Sequence, residues 1–270
     1  MKKVVILGHE GMLGSCVINY LRLNNIDTYS VPHRFPDPKM GDIISFLEPD
    51  FVINCIGSIP QKTQCFEVNY AVPIYLVTLA KKVGFKIIHP SSDCEFSGEM
   101  PVGDFYSSTD AQDANEPYGL SKITGTNIIL KSGLGKVIRT SIIGFENKTK
   151  FSLLEWFLSN PRGSHVDGYL NHYWNGITTL KWAEVCLYII NNYDSINTSV
   201  IQIGTEPVTK FDLLNIFNEV FGRDIKVNPV YKSFNLNRCL KSNLDLNFVN
   251  SSIAEQLLEL KNNENSISRS

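Results

Sequence analysis

A short apolar run, Lys3–Leu7, passes directly into Gly8-His9-Glu10-Gly11-Met12-Leu13-Gly14 and then into an amphipathic stretch. Few local patterns restrict a fold so tightly. A strand, a glycine-punctuated turn and a helix start in immediate succession describe the first βα unit of a doubly wound sheet. Gly8 permits the tight turn, Gly11 lets backbone N–H groups approach a pyrophosphate, and Gly14 allows the helix to pack closely on the strand. The phosphate would rest on the helix N-terminus, where unpaired N–H groups and the dipole favour anions. Gly8, Gly11, Met12, Leu13 and Gly14 are therefore candidates for a dinucleotide cradle. The spacing is G-x-x-G-x-x-G rather than G-x-G-x-x-G, and a glycine-rich turn that holds no ligand would look the same in isolation. Its place at the extreme N-terminus favours a cofactor.

The rest of the first half keeps the same rhythm. Apolar runs at Asp27–Val31, Phe51–Cys55, Lys86–His89 and Lys136–Arg139 alternate with helix candidates Met12–Leu23, Asp42–Leu47, Glu67–Val83 and Tyr118–Leu130. Runs that are apolar almost throughout are expected where helices cover both faces of a parallel sheet. With right-handed crossovers, the expected class is α/β, a doubly wound, Rossmann-like parallel sheet. After about residue 145 the rhythm changes. Phe151–Leu158, Leu180–Asn191 and Lys210–Phe221 read as helices, with Ser199–Ile203 a strand. Thr209-Lys210-Phe211-Asp212 has the form of a capping box with Asp for Glu. The expectation is a cofactor-binding domain over 1–145 and a substrate lobe mainly over 146–262, with some segments free to rejoin the sheet. The polar stretch Asn262–Ser270 is expected to be a frayed tail.

Bulk properties narrow the partners. A formal net charge of −2 gives no electrostatic reason to expect nucleic acid or an anionic membrane. Cys16, Cys55, Cys65, Cys94, Cys186 and Cys239 form no C-x-x-C pair and no metal-ligand spacing, so no metal is expected and buried free thiols are the better reading. No secretory apolar core precedes the first strand, and no segment approaches the ~18 apolar residues of a membrane span. The expected compartment is the cytoplasm, and a homodimer is allowed.

An NAD site commonly carries an acid at the end of its second strand to bind the ribose 2′-hydroxyl. Here that stretch reads Ser30-Val31-Pro32-His33-Arg34, with no acid before Asp37. Arg34 suits a 2′-phosphate, which favours NADP and leaves NAD open; a solvated loop charge is the plainer alternative. Cys55, Ile56 and Gly57 follow the third strand, where the backbone would pass beneath the cofactor riboses. Asn69 begins the next helix, where a lone Asn is more often a cap than a ligand.

Tyr118 and Lys122 stand four apart on a helix and so share a face. A phenol with an ordinary pKa near 10 is a poor proton-transfer group at neutral pH. A neighbouring ammonium and a positive nicotinamide would lower that pKa, and matched acidity is worth roughly 10²–10⁴-fold in rate. The Y-x-x-x-K pattern alone is weak, but it follows the fourth strand run and opens the helix before the fifth. Ser92, in Ser91-Ser92-Asp93-Cys94-Glu95-Phe96-Ser97-Gly98, would lie at the sheet's C-terminal edge within reach of a carbonyl held beside Tyr118. A cap and turn cluster is the alternative for that segment.

With these residues together, the chain resembles an extended short-chain dehydrogenase/reductase, in the sugar-nucleotide branch of dTDP-4-dehydrorhamnose reductase. The resemblance rests on Gly8-x-x-Gly11-x-x-Gly14, Ser91-Ser92-Asp93-Cys94-Glu95-Phe96-Ser97-Gly98, Tyr118-Gly119-Leu120-Ser121-Lys122 and Arg139-Thr140-Ser141-Ile142-Ile143-Gly144. Leu153–Leu158 and Tyr173–Leu180 extend it to roughly residue 190. It implies a Rossmann domain with a small C-terminal lobe and NAD(P)H-dependent reduction of a 4-keto-6-deoxyhexose linked to a nucleoside diphosphate. By motif, Tyr118 would be the general acid, Lys122 the group that tunes it and holds the nicotinamide ribose, and Ser92 the hydroxyl on the carbonyl. Ser92 departs from the Thr common in such reductases but keeps the hydroxyl.

Relatives that dehydrate sugar nucleotides carry Thr-Asp-Glu at this point; Ser92-Asp93-Cys94 lacks that Glu, and Glu95 is expected to point the other way. Epimerase-reductases place a Cys directly after paired serines, and Cys94 comes one position later. Ser92, Asp93 and Cys94 remain candidates to touch substrate. His165, Asp167, Tyr169, Asn171, His172, Tyr173, Trp174 and Asn175 form a dense aromatic and amide stretch suited to a sugar and a base, with His172 and Asn175 the preferred pair. The alternatives to a reductase are an NAD(P)-dependent epimerase that regenerates its cofactor and a non-catalytic binding subunit on the same fold.

Overall fold

The structure is a computed structural model that describes residues 2–146 and 149–267. The first half runs β1 (Lys3–Leu7), α1 (Met12–Leu23), β2 (Asp27–Ser30), α2 (Lys39–Leu47), β3 (Phe51–Asn54), α3 (Val68–Val83), β4 (Lys86–Ser91), α4 (Pro117–Ser132) and β5 (Gly135–Arg139). The second half adds β6 (Ile142–Ile143), α5 (Leu153–Ser159), β7 (His165–Tyr169), β8 (His172–Trp174), β9 (Ile177–Thr178), α6 (Thr179–Asn192) and β10 (Val200–Gln202). It ends with β11 (Val208–Thr209), α7 (Lys210–Phe221), β12 (Lys226–Val230), β13 (Leu236–Asn237) and α8 (Ile253–Ile267).

Six strands form one sheet in the order β10-β5-β4-β3-β1-β2, with every pairing parallel. Alternate residues feed two cores. Val4, Ile6, Ile53, Ile88 and Ile138 face α1 and α6, where Val17, Leu21, Trp182 and Ile189 meet them. Val5, Leu7, Val52, Ile87 and Val137 face the opposite way, onto Leu76 and Ile129 of α3 and α4. Both faces of each strand are thus covered, as continuous apolar runs require. The chain reverses direction across the sheet between β1 and β3, and the glycine turn leaves β1 at this switch point.

β10 joins the sheet by pairing Val200–Gln202 with Val137–Arg139. The remaining small strands and α5, α7 and α8 enclose a third core of Leu154, Phe157, Leu213, Phe217, Ile253 and Leu257. Each such fully buried side chain contributes roughly 1.5–3 kcal/mol. The capping box at Thr209 and Asp212 forms in full. α5 starts later than Phe151 because the Ser152 hydroxyl accepts from Glu155 N and caps it. α2 starts earlier than Asp42, at Lys39, just after Pro38.

The tail differs from expectation. Residues through Ile267 continue α8, and 268–270 lie outside the described residues. Gln256, fully buried, holds this helix down: its Oε1 accepts from Thr178 N at 3.2 Å, and its Nε2 donates to Ser251 O at 3.0 Å. All six cysteines are free thiols, although only Cys186 and Cys239 are fully buried. Among the described residues, no helix is long and apolar enough to cross a membrane.

Candidate functional site

The glycine turn is built as its spacing demands. Gly8 has φ +73°, and a side chain there would meet the carbonyl of Cys55 at 2.8 Å. At Gly14 a Cβ would lie 2.2 Å from Gly8 O, so α1 could not approach the turn with any larger residue. Gly11 is different: a Cβ there would meet only Gly8 O, at 3.4 Å, an ordinary van der Waals contact. Gly11 caps α1 without a side-chain hydrogen bond, and no acid lies in the first turn. The N–H groups of Met12 and Leu13 therefore belong to an uncapped, dipole-positive helix end, which fits a pyrophosphate.

Around this cradle the other cofactor candidates take varied positions. Arg34 is exposed on the loop after β2, where Asp37 N donates to its carbonyl at 2.8 Å and the Asp37 carboxylate pairs with His33 at 2.8 Å. Cys55, Ile56 and Gly57 continue β3 into the space beside Gly8, and Ile56 N donates to Asn54 Oδ1 at 3.0 Å. Asn69 acts as a clasp. Its Oδ1 accepts from Ser58 N at 2.8 Å, and its Nδ2 donates to Ser58 O and Ser121 Oγ, both at 3.0 Å. Both donor hydrogens hold the loop after β3 to α4.

The proton-transfer candidates do converge. β4 ends at Ser91, and a single 3₁₀ turn, Asp93–Glu95, follows. Ser92 Oγ accepts from Cys94 N at 3.1 Å and donates to Asp93 Oδ1 at 2.8 Å. The residue thus caps the turn, and it lies close enough to the Tyr118 phenol to act on its acidity. Pro117 occupies the first turn of α4, where its missing N–H costs nothing, and this puts Tyr118 at the helix mouth. Gly119 was not singled out in the sequence, yet a Cβ there would sit 2.2 Å from Cys94 O. Only glycine lets α4 lie against the turn. Phe66 packs edge-on against the Tyr118 ring, with centroids 5.6 Å apart. Lys122 is buried and donates to Pro90 O at 2.7 Å.

The electrostatics differ from the sequence expectation. Burial pushes the Tyr118 phenol well above its ordinary value, Cys94 and Asp93 add to the rise, and Ser92 opposes it. Burial lowers the Lys122 ammonium from 10.5 to about 8, against Glu95 and Cys94, which favour its charge. The protein's own groups therefore keep the phenol protonated. A low-dielectric site penalises the phenolate. A protonated phenol at neutral pH remains suited to donating a proton.

Beyond the turn opens a cavity of about 450 Å³, lined by Gln61, Phe151, Trp156, Tyr169, His172 and Lys210 among others. It does not include Tyr118; Lys210, one of its lining residues, feels the charge of Asp93 at the turn. His172 faces this cavity with a buried Nε2 that has no protein partner, between the rings of Tyr169 and Phe234. Burial lowers its pKa, with help from Lys232, Lys210 and Arg238. Asn175 is placed otherwise. Its Nδ2 donates to Thr205 O at 3.1 Å and Leu240 O at 2.8 Å, and its Oδ1 accepts from Leu240 N at 3.0 Å. With both donors spent on backbone, it braces the lobe. Trp174 Nε1 likewise donates to Ser141 Oγ at 2.8 Å. Arg238 was missed in the sequence: it donates to Phe96 O at 2.9 Å and Ser97 O at 3.2 Å, and lies 3.5 Å from Cys94 Sγ.

Comparison with known proteins agrees with this architecture. The profile of the NAD dependent epimerase/dehydratase family matches residues 4–147. No curated protein sequence matches the chain. Among solved structures, dTDP-4-dehydrorhamnose reductase from Bacillus anthracis in complex with NADP superposes with a TM-score of 0.82 at 16% identity, covering 97% of this chain and 99% of that one. UDP-glucose 4-epimerase from Thermotoga maritima, with UDP-glucose, gives 0.75 at 17% identity over 98% and 99%. dTDP-glucose 4,6-dehydratase from Bacillus anthracis, in complex with NAD, gives 0.75 at 16% over 98% of both. Three different reactions share this fold, so the likeness speaks for architecture and not for one reaction. With a family profile spanning the whole glycine-turn half, and a parallel sheet bearing Tyr118 and Lys122 at its mouth, the chain belongs to the NAD dependent epimerase/dehydratase family in its extended short-chain dehydrogenase/reductase form.

Proposed function

We propose that the protein is an NADPH-dependent reductase of a nucleotide-linked 4-keto-6-deoxyhexose, acting in the cytoplasm in the supply of sugars for surface polysaccharide. The observation that carries this reading is the close approach of the turn bearing Ser92 to the start of α4, where Gly119 lies against Cys94 O and Tyr118 and the buried Lys122 follow on one helix face. When bound, the nicotinamide supplies the hydride; the uncapped end of α1 at Gly11 fits its pyrophosphate. Arg34, exposed beyond β2, is the candidate for a 2′-phosphate. Ser92 would donate a hydrogen bond to the C4 carbonyl and polarise it, and Tyr118 would deliver a proton to the same oxygen. Lys122 would orient the nicotinamide ribose and, once the ribose displaces Pro90, lend positive charge to the phenol. The cavity at His172 and Lys210 would take the nucleoside diphosphate.

Dehydration is disfavoured because Glu95 is fully buried and its carboxylate is engaged below the turn. An epimerase reading draws on Cys94, whose thiol acts on Tyr118 from the turn. Stoichiometry separates the two: a reductase consumes NADPH in proportion to product, whereas an epimerase shows no net loss at the nicotinamide band. The deciding assay offers NADPH with dTDP-, UDP-, GDP- and CDP-linked 4-keto-6-deoxyglucose. Tyr118→Phe should abolish turnover while leaving NADPH affinity nearly intact, and full activity in that variant would refute the assignment.

A further inference from the structure

Beneath the catalytic turn lies a carboxylate with no place in the proposed proton transfer. Glu95 is fully buried, and its two oxygens receive four donors. One oxygen accepts the hydroxyls of Ser91 and Thr126. The other accepts Gln112 Nε2 at 2.7 Å and Arg139 Nε at 2.5 Å. Arg139 passes on through Nη1 to Gln202 Oε1 at 3.0 Å, and Gln202 Nε2 donates to the carbonyls of Tyr106 at 2.8 Å and Lys241 at 3.0 Å. An ionised carboxylate is acceptor-only, with about four lone-pair sites. These four donors fill it.

The positions of the partners give the network its meaning. Ser91 immediately precedes Ser92. Thr126 stands one helical turn beyond Lys122 and two beyond Tyr118, on the same face of α4. Arg139 closes β5, next to β4 in the sheet. One carboxylate thus ties the turn carrying Ser92 to the helix carrying Tyr118 and Lys122, and secures both to the sheet. We infer that Glu95 is a positioning residue, which holds turn and helix at the separation that lets the Ser92 and Tyr118 hydroxyls converge on one carbonyl oxygen. The inference rests on the reductase reading. Its charge also acts on the reacting pair, favouring protons on both Tyr118 and Lys122. The other charged or titratable groups in this field are Asp93 and Cys94 of the turn, His89 of β4 and Arg139 of β5.

Two variants test it, assayed beside wild type and Tyr118→Phe with NADPH and the 4-keto-sugar nucleotide that wild type reduces. Glu95→Gln keeps the volume but not the acceptors: with an amide nitrogen in place of Oε1, the Ser91 and Thr126 hydroxyls lose the acceptor they share, while the remaining oxygen still accepts from Gln112 and Arg139. Thr126→Val cuts only the link to α4 and leaves the Arg139 pair. Glu95→Gln is expected to lower kcat by about 10²-fold, the cost of a displacement of about 1 Å, with KM and NADPH affinity unchanged. Its alkaline limb should move to lower pH, because the charge that favours the Tyr118 proton is gone. Thr126→Val should lower kcat less and keep the wild-type pH limb. Wild-type kcat and pH profile in both variants would overturn the inference, as would a kcat that falls only in step with melting temperature and NADPH binding. If Glu95→Gln fails to bind NADPH, Thr126→Val decides alone. A wild-type enzyme that reduces none of the keto-sugar nucleotides sinks the functional reading and this inference with it; an active wild type beside two variants with its kcat and pH profile sinks only the inference.

Discussion

The turn from Ser91 to Glu95 and the loop from Asn171 to Gly176 are both short polar segments, and they dispose of their polar atoms in opposite ways. In the turn, the Ser92 hydroxyl bonds to its immediate neighbours, Cys94 N and Asp93 Oδ1, and lies beside the Tyr118 phenol. In the loop, Asn171 donates to the carbonyls of Lys232 at 2.9 Å and Phe234 at 3.0 Å, and Asn175 to those of Thr205 and Leu240. Those amides close the protein on itself. A polar side chain becomes a ligand candidate when some of its hydrogen-bonding capacity is unspent, and His172, with its unpartnered buried Nε2, is the member of the loop that meets this condition. Residue type alone does not separate these cases.

The largest effect should come from the turn. Ser92→Ala is expected to lower kcat by about 10²–10³-fold, as loss of one donor to a developing oxyanion does, and to cost only about 1 kcal/mol of stability through the lost cap. Steady-state kinetics beside a urea melt would measure both, and an unchanged kcat would erase the contrast between the two segments. In the loop the order reverses. Asn175→Ala is expected to destabilise the fold by about 2–3 kcal/mol, because Leu240 N and two carbonyls are left buried without partners. NADPH affinity should not change. A variant with native stability and a raised substrate KM would make Asn175 a ligand after all.

A smaller effect sharpens the comparison through pH. Lys122 titrates at about 8 in the folded protein, below its ordinary 10.5, so the native state gives up this proton before the unfolded chain does. Its contribution to stability is therefore lowest below pH 8 and rises as pH climbs toward 10.5. Relative to Lys122→Met, wild type should gain about 2 kcal/mol between pH 8 and near pH 10, read from denaturant midpoints. The buried thiols are common to both proteins and cancel in the difference. A flat difference would mean that Lys122 is solvated, and would detach it from the turn.

Much of the first half was legible because its signals are local. β1, β3, β4 and β5 are apolar runs that two covering helix layers demand, and Gly8 and Gly14 stand where any side chain would collide with backbone. The Tyr118–Lys122 pair was readable from helical spacing, but its acidity was not, since burial, reinforced by Cys94 and Asp93, raises the phenol. α8 escaped notice because its apolar stripe, Ile253, Leu257 and Leu260, is diluted by Glu and Asn and acquires its value only against α7. Gly119, Lys210 and Arg238 were invisible for the same reason: each matters through a partner far away in the chain.

By itself the sequence determined the order of strands and helices in the first half, the glycine turn at the N-terminus and the family, because periodicity, glycine spacing and helical offset act over a few residues. The tertiary structure alone decided which polar groups remain free and which are spent, and how strongly the candidate proton-transfer groups hold their protons. Hydrogen-bond partners and dielectric surroundings are supplied by segments dozens of residues distant, as when Glu95 takes its donors from Gln112, Thr126 and Arg139, and no local pattern encodes them.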